Sequence, residues 1–280
     1  MIKRSNKTLA YYLIAVWIIA AFLLESSDLW ISINVYDPQS FWAVLLEKFG
    51  EIPGLVVVLL GVHIYIVTLK ASSNIKTILF TGFLLTSASL ITIYIFIVLS
   101  LSITENWIFF NSNRNYFFLT AILLNIFLSV LFRKRNKFSK KSVLFSRISV
   151  KMFFYGYLFV IQPLKHLWGR MRFRELAEGY ADFTAWYIPN GINGNQSFPS
   201  GHAAMGFMMF SLFVFAADKS FYKRIFLKGI IISWAIAVCI SRVVVGAHFT
   251  SDVLFGGFII LVSYLLLIHQ ANKTIQNVNQ

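Results

Sequence analysis

Residues 77–102 read TILFTGFLLTSASLITIYIFIVLSLS, an unbroken run without a charge between Lys76 and Glu105. A helix needs about 20 predominantly apolar residues to cross the hydrocarbon core of a bilayer. The run exceeds that length and lacks the alternation of a barrel strand, so it reads as a membrane-spanning helix. Working outward, similar runs recur at roughly 9–24, 53–69, 115–132, 148–164, 200–217, 229–246 and 252–268. The composition agrees: 58% of the 280 residues are hydrophobic and 13% charged, where a soluble domain carries about 25% charged residues. The expectation is an all-α polytopic membrane bundle of eight spans, forming a single domain over 1–280.

The span 148–164 contains Lys151, which would have to snorkel to the near interface. Glu25 directly follows the first span, and no small-residue cleavage site lies near, so that span reads as retained rather than as a removable signal. The segment 26–52 is long for a loop, and a short amphipathic helix lying on the outer leaflet is expected there.

Eight spans put both termini on one side. If that side is the cytoplasm, its segments hold 18 of the 25 basic residues, from Lys3, Arg4, Lys7, Lys70 and Lys76 through the cluster 133–151 to Lys219–Lys228 and Lys273. The other side holds Lys48, Arg114, Lys165, Arg170, Arg172, Arg174 and Arg242. The split follows the positive-inside rule and predicts cytoplasmic termini in a cell (plasma or inner) membrane. The net charge of +14 is thereby explained without a nucleic-acid partner, and RKRNKFSKK at 133–141 reads as a stop signal facing anionic membrane lipids. The single cysteine, Cys239, excludes an intrachain disulfide framework and a cysteine-ligated metal site. It is expected to be a buried packing residue.

Three polar clusters fall on the predicted outer face. Lys165-His-Leu-Trp-Gly-Arg170-Met-Arg172 follows the fifth span, Phe198-Pro199-Ser200-Gly201-His202 opens the sixth, and Ser241-Arg242 with His248 and Asp252 lies between the last two. Lys165, Arg172 and Arg242 supply fixed cations, and guanidinium groups grip phosphate oxygens bidentately. Pro199 suits the first turn of a helix, which would leave the amides of Ser200 and Gly201 at a helix N-terminus facing an anion. His248 and Asp252, four apart, would share a helix face. The carboxylate could then hold one imidazole nitrogen as N–H and leave the other as a nucleophile. His202 is a second imidazole, suited to protonating a departing oxygen. Phosphoryl transfer needs mainly positioning and charge neutralisation, which this set offers.

The pattern K-x6-R, then P-S-G-H, then S-R-x5-H-x3-D resembles the type-2 phosphatidate phosphatase (PAP2) superfamily, in its membrane lipid phosphatase branch. The resemblance implies His248 as nucleophile, Asp252 as its partner and His202 as acid–base. Lys165, Arg172, Ser200, Gly201 and Arg242 would bind phosphate, with no metal and no cofactor. It also implies a six-helix core, here 77–280, with two additional helices in 1–76. Phe173 stands where the first motif usually has proline. The implied function is hydrolysis of a lipid phosphomonoester or pyrophosphate on the extracytoplasmic face through a phosphohistidine. Candidate substrates are an isoprenoid pyrophosphate, phosphatidate or phosphatidylglycerol phosphate. The alternatives are a phosphotransferase using the same intermediate, and a non-catalytic scaffold or anion transporter. No obligate protein partner is evident.

Outside these clusters, His63 and His166 read as structural. Arg170 and Arg174 read either as a solvated loop or as aids to binding an anionic substrate. Asn190-Gly-Ile-Asn-Gly-Asn195 reads as a turn-rich loop, with a place at a substrate mouth as the other reading.

Overall fold

A computed structural model describes the backbone of residues 2–69, 74–135 and 137–278, and the side chains of 11–69, 74–135 and 137–273. Lys70 and the side chains of Lys3, Arg4 and Lys7, counted in the charge split, lie outside the described residues. The helices in chain order are α1 (Ile2–Val35), α2 (Phe41–Phe49), α3 (Ile52–Thr68), α4 (Ile75–Thr104), α5 (Trp107–Arg133) and α6 (Lys140–Lys151). A π-helical stretch (Met152–Ile161) joins α6 to α7 (Gln162–Trp168). Then come α8 (Gly201–Met208), a 3-10 turn (Met209–Leu212), α9 (Phe213–Ala216), α10 (Phe221–Val244) and α11 (Thr250–Val278). No strand occurs among the described residues, so the all-α expectation holds.

Local chemistry sets the helix starts. Asn74, Asn106 and Ser139 cap α4, α5 and α6, each side chain accepting a backbone N–H from the first turn, which satisfies donors that have no partner within the helix. Seven helical segments are long and apolar enough to cross a membrane: Tyr11–Val35, Phe41–Thr68, Ile75–Thr104, Trp107–Arg133, Lys140–Glu175, Phe221–Val244 and Thr250–Lys273. The eighth expected span, 200–217, is the shorter apolar run Gly201–Ala216. Twelve α-helical and four 3-10 residues extend it to roughly 26 Å, just under the thickness of a hydrocarbon core.

Two expectations about the N-terminal region need correction. The first span does not end near residue 24, because α1 continues through Glu25 and Asp28 to Val35. The segment 26–52 is therefore not a long loop. Its first part belongs to α1, and its second forms α2, which packs through Ala43 against Val245 and Ala247 beyond the end of α10. The sequence pattern missed the continuation because Glu25 and Asp28 break the apolar run. Asp28 nonetheless lies 1% exposed, for a reason that appears in the site.

The helix α3, expected as an addition to the bundle, contributes Leu55, Val58, Val62 and Ile66 to the principal core. They pack there with Leu84 and Ala88 of α4, Ile148 of α6, Ala204, Met205 and Met208 of α8 and Ile260 of α11. Lys151 lines one groove with Lys140, Lys141 and Arg147, so it stays with the other cations of its end. Lys141 pairs with Asp218, which puts the loops before α6 and before α10 at that end. At the opposite end Lys48 bonds Glu105 at 2.5 Å, and the loop after α7 reaches α1 through Trp186 Nε1, which donates to the Ala21 carbonyl at 2.9 Å.

Candidate active site

Two glycines let the three motifs meet. Gly169 ends α7 with φ 59°, and a Cβ there would lie 1.9 Å from the Gly191 carbonyl oxygen. Only glycine takes this left-handed turn at so close an approach, and the turn delivers Arg170 and Arg172. Gly256 on α11 faces the start of α8, where a Cβ would lie 2.3 Å from the Ser200 carbonyl oxygen. That close approach holds the start of α11 against Ser200 at the start of α8.

Six of the eight candidate residues line one cavity of about 600 Å³: Lys165, Arg172, Gly201, His202, Arg242 and His248. Ser200 and Asp252 stand behind it. Ser200 corrects the sequence reading, since its amide donates to the Asp252 carbonyl at 2.9 Å and its hydroxyl caps α8 by accepting the Ala203 N–H. Pro199 precedes that cap and lies outside the first turn. The amides left at this helix start are those of Gly201 and His202.

The cations are partly committed. Lys165 donates to the Gln196 carbonyl, and Arg172 bonds Glu175 at 3.2 Å. Arg242 is 4% exposed, and its Nη1 lies 3.3 Å from Glu47 Oε1 without hydrogen-bond alignment. Nε of Arg172, and Nε and Nη1 of Arg242, are buried with no hydrogen-bond acceptor. Buried charged donors without acceptors are costly, and a phosphate in the cavity would satisfy them.

His248 lies in the bend before α11 rather than on it, so His248 and Asp252 do not share a helix face. Asp252 sits in the first turn and accepts the Phe249 N–H at 2.9 Å, as a capping carboxylate does. Its Oδ2 is 3.7 Å from His248 Nδ1, an ion-pair separation rather than the hydrogen bond expected. Ser197 fills the gap, donating to Asp252 Oδ2 at 2.5 Å and lying 3.5 Å from His248 Nδ1. With Nδ1 turned to this pair, Nε2 is the nitrogen left to face the cavity. Burial, reinforced by the charges of Lys165 and Arg242, pulls the His248 imidazolium down to about 3 against the opposing pull of Asp252. The ring is therefore neutral near pH 7, as a nucleophile requires.

Arg170 fits neither of its sequence readings. It is 1% exposed, and Nη1 donates to Asp252 Oδ1 at 2.7 Å and to Ser251 Oγ at 2.8 Å. Nη2 donates to Asp28 Oδ2 at 2.9 Å, and Nε to the Thr184 carbonyl at 3.0 Å. Asp28 in turn accepts the Ser251 N–H at 2.9 Å and its hydroxyl at 2.5 Å. The guanidinium also lies 4.1 Å from the centre of the Phe249 ring. Arg174 bonds Glu47 at 2.9 Å, so it is paired within the protein as well.

A third set surrounds His202. Its Nε2 is 3.2 Å from the Glu47 carbonyl oxygen, so that nitrogen donates. Its Nδ1 lies 3.8 Å from Glu51 Oε2, and Tyr94 donates to Glu51 Oε1 at 2.8 Å. Sequence reasoning missed Asp28, Ser197, Glu47, Glu51 and Tyr94. The one available signal was acidic residues flanking or interrupting apolar spans, which membrane proteins keep only where they find partners.

The structural readings of the other histidines agree with their surroundings. His63 is fully buried, with Nε2 2.9 Å from Asn125 Oδ1 and Nδ1 3.2 Å from Ser129 Oγ. His166 Nδ1 lies 3.1 Å from Gln196 Nε2. The 190–195 loop packs on the end of α7, with Asn193 donating to the Gly169 carbonyl at 2.8 Å; from this region only Gln196 lines the cavity. Phe173, in the usual proline position, is 5% exposed among Tyr36, Tyr180 and Phe249. It anchors the Arg172 loop to the residue following His248. Cys239 is only half-buried, in an apolar groove between α1, α10 and α11.

Residues 141–276 match the family model described as PAP2 superfamily. No curated protein and no solved structure matches the chain. The matched stretch contains all eight candidate residues, whereas Asp28, Glu47, Glu51 and Tyr94 lie before it. The match supports a phosphatase activity at the level of reaction class, and with it residues 141–276 belong to the PAP2 superfamily.

Proposed function

We propose that the protein is a phosphatase of lipid phosphates, acting from the extracytoplasmic side of a cell membrane through a phosphohistidine on His248. The observation that carries this reading is the two-ended character of the cavity. Lys165, Arg172, Arg242, His202 and His248 line one part of it, and Leu55, Leu90, Ile91, Phe153, Phe154 and Leu158 line the other. A phosphate head with an apolar tail fits both parts.

In the first step a lone pair on His248 Nε2 forms the N–P bond. The P–O bond to the lipid alcohol breaks with its electron pair, and His202 gives a proton to that oxygen. In the second step the oxygen of water bonds to phosphorus, the N–P pair returns to Nε2, and the water's proton goes to His202. Lys165, Arg172, Arg242 and the amides at the start of α8 neutralise the phosphoryl oxygens throughout. Among the described residues, no three His, Cys, Asp or Glu side chains converge as a metal site would require.

Phosphate release by detergent-purified protein tests the reading, with a chelator present throughout. Long-chain alkyl and isoprenyl phosphates should be hydrolysed with a higher kcat/KM than glycerol or sugar phosphates. A preference for the soluble esters would defeat the lipid assignment, and dependence on added magnesium would defeat the metal-free steps.

The sidedness has its own test. In a Cys239→Ser background, Ile192→Cys should react with a membrane-impermeant maleimide on intact cells, and Lys140→Cys only after lysis. Ile192 is 82% exposed in the loop beside the site. The reverse labelling pattern would move the chemistry to the cytoplasm.

A further inference from the structure

Buried carboxylates are expected beside cations, but Glu51 lines the very cavity that would take an anion. It is 3% exposed, at the start of α3. A negative group there opposes phosphate binding, so its presence needs a reason that outweighs the repulsion. The surroundings supply one. Glu51 Oε1 is fixed by the Tyr94 hydroxyl at 2.8 Å, while Oε2 points to His202 Nδ1 at 3.8 Å. The other ring nitrogen, Nε2, faces the Glu47 carbonyl at 3.2 Å. Both nitrogens of His202 thus look at acceptors, which offset the charges of Arg242 and Lys165 that face the same ring. The 3.8 Å separation is too long for a hydrogen bond and leaves Nδ1 accessible to a reacting oxygen.

We propose that Glu51 is a positioning residue for His202: with Tyr94 behind it, its carboxylate orients the imidazole and stabilises the imidazolium that donates to the leaving oxygen through Nδ1. The inference rests on the phosphatase reading above and deepens it. Glu51 remains a carboxylate in both steps. The proton leaves Nδ1 for the lipid alkoxide as the P–O bond breaks, and returns to Nδ1 from water as the N–P bond breaks. The two histidines then have separate supports. Asp252, Ser197 and Arg170 hold His248, whereas Glu51 and Tyr94 hold His202. Glu51 lies outside the stretch that matches the family model, so α3 brings part of the acid–base machinery to the matched helices.

The groups facing this pair come from every neighbouring element. Arg242 of α10, Lys165 of α7 and His248 face His202, with the Glu47 backbone of α2. Tyr94 of α4 and Tyr157 of the π-helical stretch face Glu51, together with Arg242 and Lys165. Of these groups only Glu51 offers a side-chain carboxylate to His202.

The test is Glu51→Gln, which keeps the shape and an acceptor for Tyr94. On a long-chain alkyl phosphate, kcat should fall about 10- to 100-fold, below the ceiling of about 10⁴ for complete loss of general acid–base help. KM should stay level or drop, because a repulsive charge has gone. The basic limb of the kcat–pH profile should move to lower pH by about one to three units, the shift expected when an opposite charge near an ionisable group is lost. On nitrophenyl phosphate, whose leaving phenolate needs little protonation, the rate of the nitrophenolate burst should change less than threefold, against the 10- to 100-fold loss on the alkyl ester.

Tyr94→Phe leaves the charge but frees its orientation, and should lower kcat on the alkyl ester several-fold with the limb in place. A folded Glu51→Gln with wild-type kcat on the alkyl ester and an unmoved basic limb would overturn the proposal. If Glu51→Gln does not fold, an unchanged alkyl-ester kcat in Tyr94→Phe overturns it instead. A wild-type protein that releases no phosphate from any ester would fail differently, taking down the phosphatase reading and this inference with it.

Discussion

The His248→Ala variant is expected to lose turnover of every phosphate ester, whereas His202→Ala should lose it selectively. In the proposed mechanism His248 Nε2 forms the bond to phosphorus, so its removal eliminates the intermediate whatever the leaving group. The ring sits 2% exposed, held neutral by burial, and the small alanine leaves no other nucleophile in its place. His202 acts on the leaving oxygen, and that help is worth about 10²- to 10⁴-fold when a basic alkoxide departs. A nitrophenolate leaves without it. His202→Ala should therefore show a gap of that order between a lipid alkyl phosphate and nitrophenyl phosphate. It should also accumulate an acid-labile phosphoenzyme, since water attack then lacks its base. Both substrates are compared by the rate of the alcohol or nitrophenolate burst that precedes phosphate release, and the intermediate by labelling and acid quench. Equal losses on both substrates would remove His202 as the leaving-group acid. Residual nitrophenyl turnover in His248→Ala, with none in His202→Ala, would exchange the two roles.

The largest effect on stability is expected at Arg170. It stands between two buried carboxylates, 2.9 Å from Asp28 and 2.7 Å from Asp252, and all three side chains are at most 1% exposed. Taking one partner from a buried ion pair costs about 3–5 kcal/mol, because the remaining charge has neither water nor counterion. Here removal leaves two buried carboxylates without a counterion, Asp28 with only the donors of Ser251 and Asp252 with those of Ser197 and Phe249. Arg170→Met, which preserves much of the volume, should destabilise the protein by about that amount and release Asp252 from its place behind His248.

Lysine would not rescue the site, because one ammonium cannot reproduce the forked contacts to both acids. Asp28→Asn alone should cost less, since an amide oxygen still accepts from Ser251. The Asp28→Asn/Arg170→Met double variant should be more stable than the sum of the single losses predicts, as expected for residues in one network. Thermal unfolding in detergent gives the stabilities, and kcat on the lipid substrate reports the displaced His248. Additive losses would show that Asp28 and Arg170 are not coupled, and that the first helix has no hold on the site through this path.

The legible part of the protein was the part written in local runs. Residues 77–102 and their counterparts announce helices because a bilayer-length apolar stretch has only one way to satisfy its backbone. The three motifs were legible because each keeps its polar groups within a few residues, so Lys165, Arg172, His202, Arg242 and His248 all line the cavity. Ser200 was misread because its amide is taken by the carbonyl of Asp252, a residue 52 positions later. Arg170 was misread for a similar reason, since a basic residue in a loop looks solvated until two distant carboxylates are placed beside it.

The sequence by itself therefore determined the class of fold, the positions of most spans and the identity of most of the polar residues that line the cavity. These depend on hydrophobic length and on short-range spacing. Only the tertiary structure decided what stands behind those residues: Asp28 reaching Arg170 across 142 positions, Glu51 meeting His202, and Ser197 bridging Asp252 toward His248. A carboxylate carries no mark of its partner in the chain. Its role is set by which opposite charge or imidazole the packing of helices brings within about 4 Å, and that packing is a property of the whole bundle.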